Sequence, residues 1–184
     1  MNNYFVILAA GKSKRFDKKI AKQFYNYKNR ELIDHSIEKA LNSGLFKKIL
    51  IVTNNLNHLK KKKYPNQVSI IKGGKERSDS SLKALKYLKK YKPLNVYIHD
   101  AARPNFSINL INKLLKCLKN YDGAIPVLKS TSSIKTIKNK KILNLDRNKI
   151  FFSQTPQAFS FKKIYNLQKK NKLKNYWWCI IICK

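Results

Sequence analysis

The stretch VYIHDAARP, residues 96–104, sets an aspartate and an arginine directly behind a run of alternating apolar residues. Asp100 is one of nine acidic residues in a chain with 41 lysines and arginines. A carboxylate at the end of a strand either caps the following turn or holds a cation. Mg2+ is the fitting cation, because it favours one or two carboxylates together with substrate phosphates and water. AAGKSKRF, residues 9–16, has the make-up of a phosphate-binding loop: small residues and Gly11 allow close backbone approach, and the lysines and Arg15 behind them neutralise charge. It is neither a Walker A loop nor a GxGxxG turn, and a tight strand-to-helix turn on a lysine-rich surface would look similar. GGKERSDSS, residues 73–81, is a second loop of this kind. Arginine use follows the same places. Of the five arginines, Arg15, Arg77 and Arg103 fall in these stretches and Arg147 in the later DRNKIFFSQTPQ segment, where a planar guanidinium can grip phosphate as lysine cannot. His99 reads as a packed or capping residue. His35 and His58 lie in helical patterns and form no triad with a serine or cysteine.

These residues need elements to hold them. Residues 4–10, YFVILAA, form a near-continuous apolar run, as in a strand buried on both faces of a parallel sheet. Further strands are expected at 48–53, 68–71, 94–99 and 123–128, and helices at 31–43, 56–63, 80–91 and 107–120, the last with Ser107 as N-cap. Strands that alternate with helices imply right-handed crossovers and a doubly wound, mostly parallel α/β sheet. Ligands of such sheets bind at the carboxyl ends of the strands. The loops just described all follow strands, so they share one rim. Residues 129–148 are polar, lack glycine and proline, and break the alternation; they read as an excursion from the sheet, such as a hairpin arm.

At 184 residues and 43% hydrophobic, the chain suits one domain, 1–184. Its net charge of +32 ordinarily points to nucleic acid or an acidic membrane. Here, however, 36 lysines are scattered over every segment, no basic block is interleaved with aromatics, and no nucleic-acid motif occurs. Cys117, Cys179 and Cys183 have neither metal spacing nor an even framework, so a reducing compartment is the default. The N-terminal apolar run is too short and strand-like for a signal peptide, and no run of about 18 apolar residues exists to span a bilayer. The expected location is the cytoplasm.

Taken together, ILAAGKSKRF, AKQF, GGKERSDS, IHDAARP and DRNKIFFSQTPQAF occur in the order and at about the spacing of the 2-C-methyl-D-erythritol 4-phosphate cytidylyltransferase family, which the chain resembles over residues 5–167. The resemblance implies a Rossmann-like nucleotidyltransferase fold, use of CTP and Mg2+, and attack of methylerythritol phosphate on the α-phosphorus of CTP with loss of pyrophosphate. Carried over by position, Arg15 and Lys22 are the catalytic pair. Ala9, Ala10, Gly11, Gly74 and Ser80 surround the nucleotide, Asp100 holds the metal, and Arg103 orders the site. Ser133 and Arg147 bind the methylerythritol phosphate from the arm, across the interface of a homodimer. The chain departs from the family at Ser13, in place of a glycine, at Ala21, in place of a proline, and at Ser133, in place of a threonine. The tail 175–184, NYWWCIIICK, lacks the acidic segment and late lysine of the family; it reads as a strand of a shortened enzyme, a frameshift or a truncated gene, and the expectation is an incomplete product with impaired catalysis. Two alternatives share much of this pattern or charge: a ribitol 5-phosphate cytidylyltransferase, and a basic nucleic-acid-binding protein that has lost catalysis.

Overall fold

The computed structural model of the chain describes residues 2–11, 20–170 and 182–183. Its centre is β1 (Asn3–Ala9), buried along its whole length. Flanking it in parallel are β4 (Phe46–Thr53) and β6 (Asn95–Asp100), and β5 (Val68–Lys72) lies outside β4. On the other side β11 (Gln157–Ser160) inserts antiparallel between β6 and β7 (Gly123–Lys129). The last short strands, β10 (Phe151–Ser153) and β12 (Ile182–Cys183), pair with β7, antiparallel and parallel respectively. The order among the described residues is β10-β7-β11-β6-β1-β4-β5.

Side chains of β1 alternate between two cores, as the two-residue period of a strand requires. Phe5, Ile7 and Ala9 join Ile33 and Ile37 of α1 (Leu32–Asn42), Leu59 of α2 (Leu56–Lys60) and Ile111 and Leu114 of α4 (Ile108–Cys117). Tyr4, Val6 and Leu8 join Leu85 and Leu88 of α3 (Arg77–Leu88) and Ile164 of α5 (Phe161–Lys169). Helices therefore cover both faces, which makes the sheet doubly wound, and the expected fold class is the observed one.

The register brings the carboxyl ends of the parallel strands level: Ala9 lies opposite Thr53, Thr53 opposite Lys72, and Leu8 opposite Asp100. Asp100 is the last residue of β6 rather than the first residue beyond it, so it is paired with Leu8 of β1 on one side, and on the other its amide donates to Thr155 Oγ1 at 3.3 Å. The helix expected from residue 80 begins at Arg77. A capping box causes this: the Glu76 side chain accepts from the first turn, and the Asp79 carboxylate accepts from the Glu76 amide at 3.1 Å. Ser107 caps α4 as its sequence indicates, accepting from the Leu110 amide at 3.1 Å.

The polar excursion is a hairpin, β8 (Ile134–Lys138) and β9 (Lys141–Leu145), paired only with itself. Asn139 and Lys140 close it with φ of 51° and 61°, and Lys28 and Asn29 close the small hairpin of β2 (Asn26–Tyr27) and β3 (Arg30–Glu31) in the same way. Two consecutive left-handed residues match the twist of the flanking strands, and asparagine tolerates that conformation better than most residues. Cys117, the last residue of α4, is disulfide-bonded, a pairing that the irregular cysteine spacing does not reveal. The tail 175–184 lies outside the described residues except for the backbone of β12.

Candidate active site

Above the level strand ends opens a cavity of about 820 Å3. Ala10 and Gly11 after β1, Asn54 after β4, Gly73 and Gly74 after β5, Arg77 and Ser80 on the first turn of α3, and Asp100 on β6 all line it. Ala9 sits just below, 2% exposed at the end of its strand. Of the residues carried over from sequence, Ala10, Gly11, Gly74, Ser80 and Asp100 thus share one wall.

The two loops facing each other across the cavity are fastened by side chains. Asn54 Nδ2 donates to the carbonyls of Ala10 and Gly74, each at 3.3 Å, so one amide bridges both loops. Ser80 Oγ accepts from the Gly74 amide at 3.0 Å, and Lys83 Nζ donates to the Gly73 carbonyl at 2.7 Å. The glycines here are required by close approach. A Cβ on Gly73 would stand 2.4 Å from the Ala10 Cβ, and one on Gly74 would stand 2.2 Å from the Asp79 Cβ. Gly11 differs, since a Cβ there meets nothing within 4 Å among the described residues.

Lys22 opens a 3-10 turn, Lys22–Phe24, beside this wall. Gln23 anchors the turn, its buried amide donating to the carbonyls of Ala9 at 2.8 Å and Gly11 at 3.1 Å. Phe24 packs on the ring of His58, whose Nε2 lies 2.7 Å from Glu31 Oε1. Arg15, the other member of the expected catalytic pair, lies outside the described residues.

On the same cavity lining, Asp100 is 31% exposed and bound by two arginines. Arg77 Nε donates to its Oδ1 at 2.9 Å, and Arg103 Nε lies 3.4 Å from its Oδ2. Arg103 Nη1 also donates to Gln154 Oε1 at 2.7 Å, which ties the DAARP turn to the QTPQ segment between β10 and β11. Among the described residues no three acids, histidines or cysteines converge, so these residues offer no complete metal cage. A single half-exposed carboxylate facing an open cavity suits Mg2+, an ion that brings phosphate oxygens and water as its remaining ligands.

His99 lies beneath this wall, fully buried. Burial holds its imidazole neutral and outweighs the opposing pull of the Asp100 carboxylate, with the Arg103 and Arg77 charges adding to burial in lesser measure, so that its pKa falls to about 3 from an ordinary 6.5. The unfolded chain therefore binds a proton below pH 6.5 that the folded chain refuses, and the stability contributed above that value is lost as the pH falls from 6.5 towards 3. The expected slope from this residue is about 1.4 kcal/mol per pH unit. Urea midpoints across that window, for the natural chain and for His99→Asn, check it; an identical slope in both would remove the effect.

The arm residues are not brought to this rim. Ser133 is exposed ahead of β8, and Arg147 stands at the arm's return, donating from Nη1 to the Thr131 carbonyl at 3.3 Å. Neither lines the cavity of its own chain. Sequence reading missed Asn54, Gln23, Arg77 and the Gln154–Thr155 pair as site residues. The signal for Arg77 was present in the bias of arginine towards these loops, and Gln23, Gln154 and Thr155 lie within AKQF and QTPQ without a role assigned to them; Asn54 acts on backbone carbonyls and leaves no motif.

An open α/β sheet whose carboxyl rim joins glycine-lined loops, cations and one carboxylate around a nucleotide-sized cavity defines a nucleotidyltransferase. Comparison with known proteins narrows the class. Residues 4–177 match the 2-C-methyl-D-erythritol 4-phosphate cytidylyltransferase family, IspD. The chain is 45% identical over 170 residues to the "Bifunctional enzyme IspD/IspF" of Pelagibacter ubique, covering 91% of this chain and 46% of that protein, so it spans less than half of that relative. With the 2-C-methyl-D-erythritol 4-phosphate cytidylyltransferase of Thermosipho africanus it shares 33% identity, over 93% of this chain and 79% of the relative. Among solved structures, the bifunctional IspDF of Campylobacter jejuni superposes with a TM-score of 0.81 at 30% identity, over 96% of this chain and 45% of that one. The 4-diphosphocytidyl-2C-methyl-D-erythritol synthase of Anaerococcus prevotii gives 0.81 at 22% identity, over 96% of this chain and 78% of that one, a likeness of fold. The chain belongs to the 2-C-methyl-D-erythritol 4-phosphate cytidylyltransferase family.

Proposed function

We propose that the chain transfers a cytidylyl group from CTP to 2-C-methyl-D-erythritol 4-phosphate. The observation that carries this reading is the convergence of Ala10, Gly74, Ser80, Arg77 and Asp100 on one cavity. A phosphate oxygen of the alcohol phosphate bonds to the α-phosphorus of CTP while the bond to the β-phosphate bridge breaks. The electron pair departs on pyrophosphate, and the CDP-linked alcohol remains. The protein needs no covalent intermediate for this, only alignment and charge neutralisation. The pyrimidine fits between the Ala10 and Gly74 loops, whose spacing is fixed by Asn54 and Ser80. Lys22 and Arg15 meet the triphosphate and the charge that builds on phosphorus. Arg103 keeps the acceptor side ordered through Gln154. Asp100 would hold Mg2+, which when bound would supply neutralisation of the negative charge on the phosphates.

The active form we propose is a homodimer. The arm exposes Ile137, Ile142, Leu143 and Leu145, an apolar set that a hairpin detached from the sheet has no reason to keep in water. Ser133 and Arg147, which do not reach their own cavity, then serve the site of the second copy as ligands for the methylerythritol phosphate. A cytoplasmic location goes with this reading; no helix among the described residues is long and apolar enough to cross a membrane.

Thermal melts test the nucleotide. CTP with Mg2+ raises the melting temperature, and ATP at the same concentration does so far less, since ligand that binds only the native state stabilises it by mass action. Equal shifts from the two nucleotides would remove the cytidylyl assignment. Retention on DNA that survives moderate salt, with no response to CTP, would instead favour a nucleic-acid-binding protein, although phosphate-backbone binding weakens steeply with salt.

A further inference from the structure

His99 sits where an apolar side chain would pack well. Its ring lies 4.6 Å from that of Phe106 and 5.7 Å from that of Phe5, within the core on the α1 and α4 side of the sheet. A buried polar group is costly unless its hydrogen bonds are made. Here both ring nitrogens are engaged: Nδ1 is 3.0 Å from Thr155 Oγ1, and Nε2 is 3.3 Å from Ser36 Oγ. Each hydroxyl has one further backbone contact. Thr155 Oγ1 accepts from the amide of Asp100 at 3.3 Å, and Ser36 Oγ donates to the carbonyl of Ala101 at 3.5 Å. With Ser36 giving its proton to Ala101, the tautomer that completes the network has Nε2–H donating to Ser36 Oγ. The bare Nδ1 then accepts from Thr155, and Thr155 accepts from Asp100. One chain of donations runs from the Asp100 amide through Thr155, His99 and Ser36 to the Ala101 carbonyl. It starts and ends on the two residues that carry the carboxylate into the cavity, and it joins β6, α1 and the QTPQ segment.

We infer that His99 is a positioning residue, which grips the Asp100–Ala101 backbone through Thr155 and Ser36 and so fixes the carboxylate that receives Mg2+ with CTP. This rests on the cytidylyl-transfer reading of the cavity. Replacing a group that orients a metal ligand typically lowers metal affinity by about 10 to 100-fold.

Two substitutions and their combination test it. His99→Phe keeps the ring and its packing but deletes both hydrogen bonds; Thr155→Val keeps the shape of threonine and cuts the chain at its first link. Calorimetric titration of CTP is run at a series of Mg2+ concentrations, alongside steady-state turnover over the same series. The expected result is that each single variant raises the half-saturating Mg2+ about tenfold in both measurements, leaves CTP binding without Mg2+ unchanged, and that the double variant is no worse than the more affected single one. A role confined to stability would lower the folded fraction without moving the Mg2+ midpoint, and that outcome overturns the inference. So does strict additivity of the two substitutions. If His99→Phe fails to fold, Thr155→Val decides by the same midpoint. A natural chain that binds CTP no better with Mg2+ than without would overturn the parent reading as well, whereas normal Mg2+-dependent binding with unshifted variants would overturn the role of His99 alone.

Discussion

Asp100→Asn leaves a folded protein whose cytidylyl transfer in saturating CTP and Mg2+ falls by at least about a hundredfold, because removing a group that serves charge stabilisation at a reacting centre costs several kcal/mol. The amide keeps the shape of the carboxylate and can still accept a hydrogen bond from Arg77. It loses the negative charge that balances Arg77 and Arg103 and that would hold the cation. The effect on folding is small for a separate reason. The pairs Asp100 makes are 31–48% exposed, a range in which ion pairs contribute little to stability. Activity and stability therefore respond in opposite measure: turnover collapses, and the urea midpoint moves little. Turnover above about a tenth of the natural rate would mean that Asp100 serves the turn and not the metal.

The second large effect belongs to Gly74→Ala. The added Cβ meets the Cβ of Asp79 at 2.2 Å, its carbonyl carbon at 3.0 Å and the Ser80 amide at 3.1 Å. None of these atoms is the end of a flexible side chain; all belong to the first turn of α3, which is fixed by its capping box. The loop must therefore move outward, which breaks the bond between the Gly74 amide and Ser80 Oγ and the Asn54 bridge to Ala10. We expect CTP affinity to drop by more than about tenfold, with a stability loss of about 1–3 kcal/mol of the kind that overpacking produces. Gly11→Ala provides the contrast, because a Cβ there meets nothing within 4 Å among the described residues and stability should be unchanged. CTP titration and urea denaturation of both variants check this; wild-type CTP affinity in Gly74→Ala would show that the loop accommodates the methyl group.

Much of the architecture was legible because burial writes periodicity into a chain. The unbroken apolar run of β1 marks it as a central strand, and Ser107 ahead of Ile108 marks a helix start. What escaped was set by partners distant in sequence. The antiparallel β11 has four residues, QAFS, and exists because β6 and β7 supply its hydrogen bonds. The early start of α3 comes from a Glu–Asp capping box, a variant of the usual serine or threonine pattern. In the site, residues that touch substrate carry motif signals, whereas Asn54, Gln23, Thr155 and Ser36 act on backbone groups between 14 and 65 residues away. Placement of that kind is a property of the fold: AKQF and QTPQ mark Gln23 and Thr155 as motif residues, but a local stretch of sequence does not say which distant backbone group each one reaches.

The base of the arm has one further consequence. β7 leaves the core and β10 returns to it as neighbours, with Lys129 opposite Phe151 and Val127 opposite Ser153. The loop between them is already closed by sheet pairing, so its length enters the free energy only through a slowly growing logarithm, about 0.6 kcal/mol for each doubling. Residues 130–150 are in that sense a cassette. Between Ser133 and Arg147 the hairpin can be shortened or extended with little strain on the rim that holds Asp100, while the two proposed substrate ligands at its base stay in place.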